Sequence, residues 1–259
     1  MRLTMRSYST LPFALLTLGL VLSSCSKDED PPAPTPPVDG GGGGSNETPS
    51  TTPNFADADA SLWAIRAFNT QTTPIGTFDI EIGTAVAVFS NDNFSSMLSA
   101  GTVELNDHAL TAQSNNAYVF TPSAADPMGL DLSSGTITWE VSGSSDFDGF
   151  THTYVNNDFP NPSIGEITSG TTVVRADGYT LVAGAVNNAD SVLFMVGDVV
   201  VTRPGGTTSH TFSASDLSGL GTGQNLVQVV PYAFRLQILN GKNVYFGKEM
   251  VRSRSVSIQ

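Results

Sequence analysis

Three groupings in the chain hold side chains of the kinds that do chemistry. Asp146-Phe147-Asp148-Gly149 is followed closely by Asn156 and Asp158, an oxygen-rich set of the sort that suits Ca²⁺. The spacing is not that of an EF-hand loop and the closing glutamate is missing, so Asp146, Asp148, Asn156 and Asp158 are candidate calcium ligands with no motif behind them. His108, His152 and His210 stand singly, without the H-x-x-x-H spacing that puts two imidazoles on one metal, and read as packing or surface residues. Gly219-Leu220-Gly221-Thr222-Gly223 is rich in glycine, but a phosphate loop needs a strand before it, a helix after it and an acid about 20 residues on. None of these is present, and the segment reads as a turn. With no G-x-S-x-G elbow and no catalytic-cysteine arrangement, an enzyme is the weakest of the functional classes. Beyond that candidate calcium, no cofactor is implied.

The elements that must position these residues are strands. Of 259 residues only 14% are charged, against roughly 25% in an average globular domain, while glycine (25) and proline (15) are plentiful. That composition points to all-β structure with many turns. A net charge of −13, with Lys27, Lys242 and Lys248 the only lysines, excludes a nucleic-acid partner, because phosphate neutralisation needs clustered Lys and Arg. One cysteine excludes an internal disulfide framework.

The cysteine has a more specific context. Arg2 and Arg6 precede an apolar run over residues 11–22 (LPFALLTLGLVL), too short to span a bilayer as a helix and right for an export signal. The run ends in Leu22-Ser23-Ser24-Cys25, which resembles the lipobox of bacterial lipoproteins. The resemblance implies cleavage between Ser24 and Cys25 and acylation of Cys25, giving palmitate-type chains each of whose buried CH₂ groups adds about 0.8 kcal/mol of membrane affinity. The expected partner is then a membrane, through an N-terminal lipid anchor. Lys27-Asp28-Glu29 follows at once and resembles the surface-export signal of Bacteroidota lipoproteins, which implies an outer-membrane protein facing the cell exterior; a charge cluster that merely solvates the linker is the other reading. Residues 31–54 (PPAPTPPVDGGGGGSNETPSTTPN) have the composition of an extended, then flexible, tether.

From residue 55 the pattern has period two. Thr77-Phe78-Asp79-Ile80-Glu81-Ile82 and Thr136-Ile137-Thr138-Trp139-Glu140-Val141 alternate polar and apolar residues, as half-buried strands do. Further strands are expected over 62–68, 84–89, 102–105, 117–120 and 150–154, and after Pro160-Asn161-Pro162 over 172–175, 179–183, 191–196, 199–202, 210–212, 226–239 and 244–258. Val192 to Val196 is apolar on both faces and should be central, Asn240-Gly241 should close a type I′ hairpin, and Pro231 should lie at an edge, a bulge or a break. Two sets of about seven strands match the size of immunoglobulin-like sandwiches, although the Cys…Trp…Cys mark is missing. The expected organisation is a signal peptide (1–24), a lipidated cysteine and tether (25–54), an acidic β-sandwich (55–158) and a second β-sandwich (159–259), with one larger sandwich as the competing arrangement.

Charge divides along the same boundary. Residues 55–170 hold fourteen acids and only Arg66 as a base, whereas 171–259 hold five acids and seven bases. Two functional classes follow: a non-catalytic binding or adhesion module for a glycan or protein, with Trp63, Tyr154 and Tyr179 as candidate contact aromatics, or a structural subunit of an outer-membrane assembly. Asp190-Ser191-Val192 resembles the O-glycosylation acceptor motif of exported Bacteroidota proteins, which implies Ser191 as an acceptor; a strand start with a polar cap accounts for it equally.

Overall fold

The computed structural model describes residues 55–73 and 75–259. The export signal, the lipobox with Ser24 and Cys25, the Lys27-Asp28-Glu29 cluster and the tether lie outside the described residues. What is described is all-β, with one single-turn helix. After a 3₁₀ turn at Phe55–Asp57 come β1 (Ala60–Thr73), β2 (Gly76–Phe89), β3 (Val103–Leu105), β4 (His108–Ala109), β5 (Thr111–Ala112), β6 (Tyr118–Phe120), β7 (Ile137–Val141) and β8 (Phe150–Tyr154). Then follow β9 (Ser163–Ile164), β10 (Thr172–Val173), β11 (Tyr179–Val182), β12 (Val186–Asn187), β13 (Ser191–Val196), β14 (Val199–Pro204), β15 (Ser209–Phe212), α1 (Ala214–Leu217), β16 (Gly223–Leu239) and β17 (Lys242–Ile258).

The spine is the C-terminal hairpin. Asn240 and Gly241 have φ of 51° and 76°, the two positive angles of a type I′ turn, and hold two 17-residue strands in register from Leu239↔Lys242 to Gly223↔Ile258. Around it a nine-stranded sheet is built in the order β14-β13-β16-β17-β1-β2-β6-β5. β1 runs parallel to β17 from Ala60↔Val244 to Asn69↔Ser253, and β10, also parallel, takes over that flank at Thr172↔Ser257. Val192 to Val196 lies in β13, between β14 and β16, and so is central as its double-sided apolar pattern requires. Pro231 is placed otherwise than expected. It lies in β16, flanked by β13 and β17, and the β16–β17 ladder simply omits positions 230 and 231 before resuming in the same register at Tyr232↔Glu249.

One face of this sheet is covered twice. Near the hairpin turn the four-stranded sheet β4-β3-β7-β8 packs over Leu62, Ala85, Phe89, Ala233, Val244 and Phe246, with Trp139 fully buried between the layers. Toward the other end the small sheets β11-β15 and β12-β9 pack over Val227, Val229, Met250, Val256 and Ile258. The first core gathers buried residues from Ala60 to Phe159 with Ala233, Val244 and Phe246, the second buried residues from Ile164 to Ile258, and both rest on the same β16–β17 pair. Residues 77–82 and 84–89, read as two strands, are one. Gly83 between them accepts a short parallel bridge from Gly129, where a Cβ would lie 1.9 Å from the Leu130 carbonyl oxygen.

Candidate functional site

Alternation along β17 sorts its side chains onto two faces. Val244, Phe246, Lys248, Met250, Arg252, Arg254, Val256 and Ile258 point toward the two cores, whereas Tyr245, Gly247, Glu249 and Val251 point the other way.

Where the two cores meet, the first face carries a seam of cations. Lys248 is buried, donates from Nζ to the carbonyl oxygens of Gly135 and Phe159, and stands 4.8 Å from the centroid of the Phe159 ring. The Cζ of Arg235 is 4.8 Å from the centroid of the same ring, and Arg235 pairs with Asp190 at 3.4 Å. Burial, reinforced by the positive charge of Arg235, lowers the Lys248 pKa to about 8. The pattern repeats on β1: Arg66 and Arg252 stand 5.4 and 5.5 Å from the Phe68 ring. Arg66 makes a bidentate pair with Glu81 (2.5 and 2.9 Å), and Arg252 reaches Asp79 at 2.8 Å while its Nε and Nη1 are buried without a protein acceptor. Arg254 donates from Nη1 to the carbonyls of Ile167 and Ser169. The seam therefore ties together strands and loops far apart in sequence.

The second face is aromatic. Trp63 lies flat over Gly247, where a Cβ would come within 2.2 Å of the indole. Phe55 meets Trp63, Phe234 and Tyr245 edge-on at 6.2, 6.2 and 5.0 Å, and Tyr232 meets Trp63 at 5.9 Å. Among the described residues the whole cluster comes from the long sheet itself, the 55–58 turn and Phe94. Glu249 sits in this face opposite Tyr232, and burial pushes its pKa up to about 8. Tyr245 donates to Asp57 at 2.9 Å, and burial together with that carboxylate pushes its pKa up to about 12. The margin of the face nearest the hairpin turn is open: Leu236 is 42% and Ile238 70% exposed. The chemistry available here is recognition through apolar side chains, a phenol and backbone groups.

The residues singled out in the sequence fall elsewhere. Asp146 and Asp148 lie in the turn joining β7 to β8, beyond the Val141↔Phe150 end of that hairpin, while Asn156 and Asp158 follow its Ile137↔Tyr154 end. Four residue steps, about 13 Å, separate those ends, and Asn156 Oδ1 already accepts from the Asn161 amide. Among the described residues no three His, Cys, Asp or Glu side chains converge, so the proposed calcium cage is corrected: its ligands are split between the two ends of one hairpin. Ser191 is fully buried in β13, bonded to Tyr232, which corrects its reading as an O-glycan acceptor on the folded chain. Trp63, Tyr154 and Tyr179 are buried as well, at 2%, 8% and 8% exposure. His152 stacks on Phe246 at 4.9 Å with its Nε2 buried and unpartnered, directly across from Trp139, whose Nε1 is likewise unpartnered. The seam went unseen in the sequence, although the spacing Lys248, Arg252, Arg254 on one strand was its signal.

No protein-family model and no curated protein matches this chain.

Proposed function

We propose that the chain is a lipid-anchored outer-membrane protein, held through Cys25 and facing the cell exterior, that acts as a non-catalytic binding or adhesion module. The observation that carries this reading is the use made of the ionisable side chains. Arg66–Glu81, Arg252–Asp79, Lys242–Asp59 and Arg235–Asp190 each join different strands or a strand and a loop, and Lys248 and Arg254 hold loop carbonyls. These groups serve the architecture, while the open surface offers loop acids and the apolar margin at Leu236 and Ile238. Lipobox, charge cluster and tether support the location, and they deliver the chain to Phe55, which packs into the aromatic face.

A second reading, a structural subunit of an outer-membrane assembly, is favoured by that same margin, since exposed apolar side chains on a strand suit a permanent protein contact. The test is protease shaving of intact cells followed by crosslinking and mass spectrometry, alongside a glycan array. Wild type should be shaved and the variant with Lys27, Asp28 and Glu29 replaced by alanine protected, and Cys25→Ala should leave the membrane fraction. Equal protection of the first two forms, or a Cys25→Ala protein that still fractionates with membranes, would overturn the location. A hit on the array supports glycan binding, a reproducible crosslinked protein supports the subunit, and neither leaves the binding role without support.

A further inference from the structure

We propose that the edge of β16 at Phe234, Leu236 and Ile238 is a strand-addition site for an extended basic segment of a partner protein, an inference that rests on reading the chain as a binding module. β16 has 17 residues, and β13 covers its outer flank only from Val227 to Tyr232. Beyond that point no strand of the described residues lies beside the flank. The Phe234 amide donates sideways to Asp190 Oδ2 at 2.9 Å, away from β17. In an antiparallel ladder alternate residues turn both backbone groups the same way, so Leu236 and Ile238 also direct N–H and C=O outward. The opposite strand agrees in phase: Asn243, across from Ile238, gives its N–H to Asp59 Oδ2 and its C=O to the Asp59 amide, away from β16. No described residue bonds the four outward groups of Leu236 and Ile238.

This edge lacks the usual protection. The outer edge of the same sheet, β14, ends in Arg203-Pro204, a cation and a residue without an N–H, which discourage pairing. At the β16 edge the exposed side chains are Leu236 and Ile238, and the ladder to β17 runs unbroken from Tyr232 to Leu239. An apolar edge with free backbone groups is what peptide-binding folds present for strand addition.

Charge selects the occupant. Asp190 flanks the edge at Phe234, and Asp57 takes the hydroxyl of Tyr245 across from Leu236. Asn240 donates to the Gly149 carbonyl, which brings the turn carrying Asp148 to the same end. The nearby cations Arg235 and Lys242 offset Asp190 and Asp59, so among these groups Asp57 and Asp148 leave the balance negative. A second copy would bring the same acids and be repelled, whereas a segment alternating Lys or Arg with apolar residues complements both charge and strand period.

The test uses the full acylated chain in detergent micelles with acetyl-(Lys-Val)₄-amide as the probe. We expect saturable binding, slowed deuterium exchange at the Leu236 and Ile238 amides, and no binding of the (Glu-Val)₄ counterpart. N-methylation of the probe at alternate residues keeps its charge and side chains but removes donors, and should weaken binding at least about tenfold. The exposed-site variant Ile238→Lys should weaken it too. Equal binding of the methylated probe would reduce the effect to plain charge attraction and overturn the proposal. So would binding that leaves the two amides unprotected, or a concentration-dependent dimer that protects them without peptide. Fractionation of Cys25→Ala reports on the anchor separately, so failure of the strand site and failure of the anchored-module reading give different results.

Discussion

Lys248 and Glu249 are neighbours in β17, both almost fully buried, and the two faces of the long sheet treat them oppositely. On the core-facing side Lys248 finds two carbonyls and a phenyl ring, so its charge is held by partners even as burial lowers its pKa to about 8. On the aromatic side burial raises the Glu249 pKa to about 8, so the carboxyl is kept neutral by a proton at pH 7. One face buries a charge by surrounding it with acceptors, and the other buries an acid by discharging it. The first solution fastens loops to strands; the second makes stability depend on pH.

The contrast breaks most visibly if the packing that creates it is removed. Phe246→Ala on the core-facing side deletes a fully buried ring that touches Phe150, His152 and Tyr154, and should cost about 3–5 kcal/mol in denaturant unfolding. Gly247→Ala on the aromatic side must push the Trp63 indole aside and should cost about 1–3 kcal/mol. Lys248→Ala comes next. It strands the carbonyls of Gly135 and Phe159 in a buried seam, which should cost about 1–3 kcal/mol once the relieved burial of the ammonium is set against it, and wild-type stability in this variant would remove the fastening role.

The pH profile sharpens the comparison most. Glu249 in the folded chain binds its proton up to about pH 8, against a reference near 4.5, so its contribution is complete below pH 4.5 and is lost as pH rises toward 8. Lys248 titrates the other way: the unfolded chain holds the proton longer, so its penalty fades as pH rises from about 8 toward 10.5. Burial lowers the His152 pKa below 6.5, so its neutral-state contribution is lost as pH falls through 6.5. Unfolding of Glu249→Gln across pH 5 to 8 should show a flatter decline than wild type; an identical slope would mean that this carboxyl is ionised in the fold.

Short-range structure was legible in the sequence and long-range structure was not. Asn240-Gly241 named its turn because two positive φ angles demand such residues, and period-two runs such as 136–141 named their buried and wet faces. Nothing local tells β1 to lie parallel to β17, since parallel pairing needs no turn between its strands. Pro231 misled because a missing N–H is absorbed here by skipping two rungs of the ladder, with no shift of register. The calcium candidates were close in sequence, but a strand pair carries neighbours apart at about 3.3 Å per residue. Trp63 and Ser191 have types that suit a surface, and only the sheet order shows that they lie in its interior strands.

The parallel contact of β1 with β17 joins residues about 184 positions apart, from Ala60↔Val244 onward. Closing a loop of that size is slow, and the spine it completes is synthesised long after β1. An emerging chain can form β1–β2 early, but that pair must wait with one edge unsatisfied until the β16–β17 hairpin arrives. Completion of the central sheet is thus set by the arrival of β16 and β17, so a chain interrupted before them is left with the β17-facing edge of β1 unpaired.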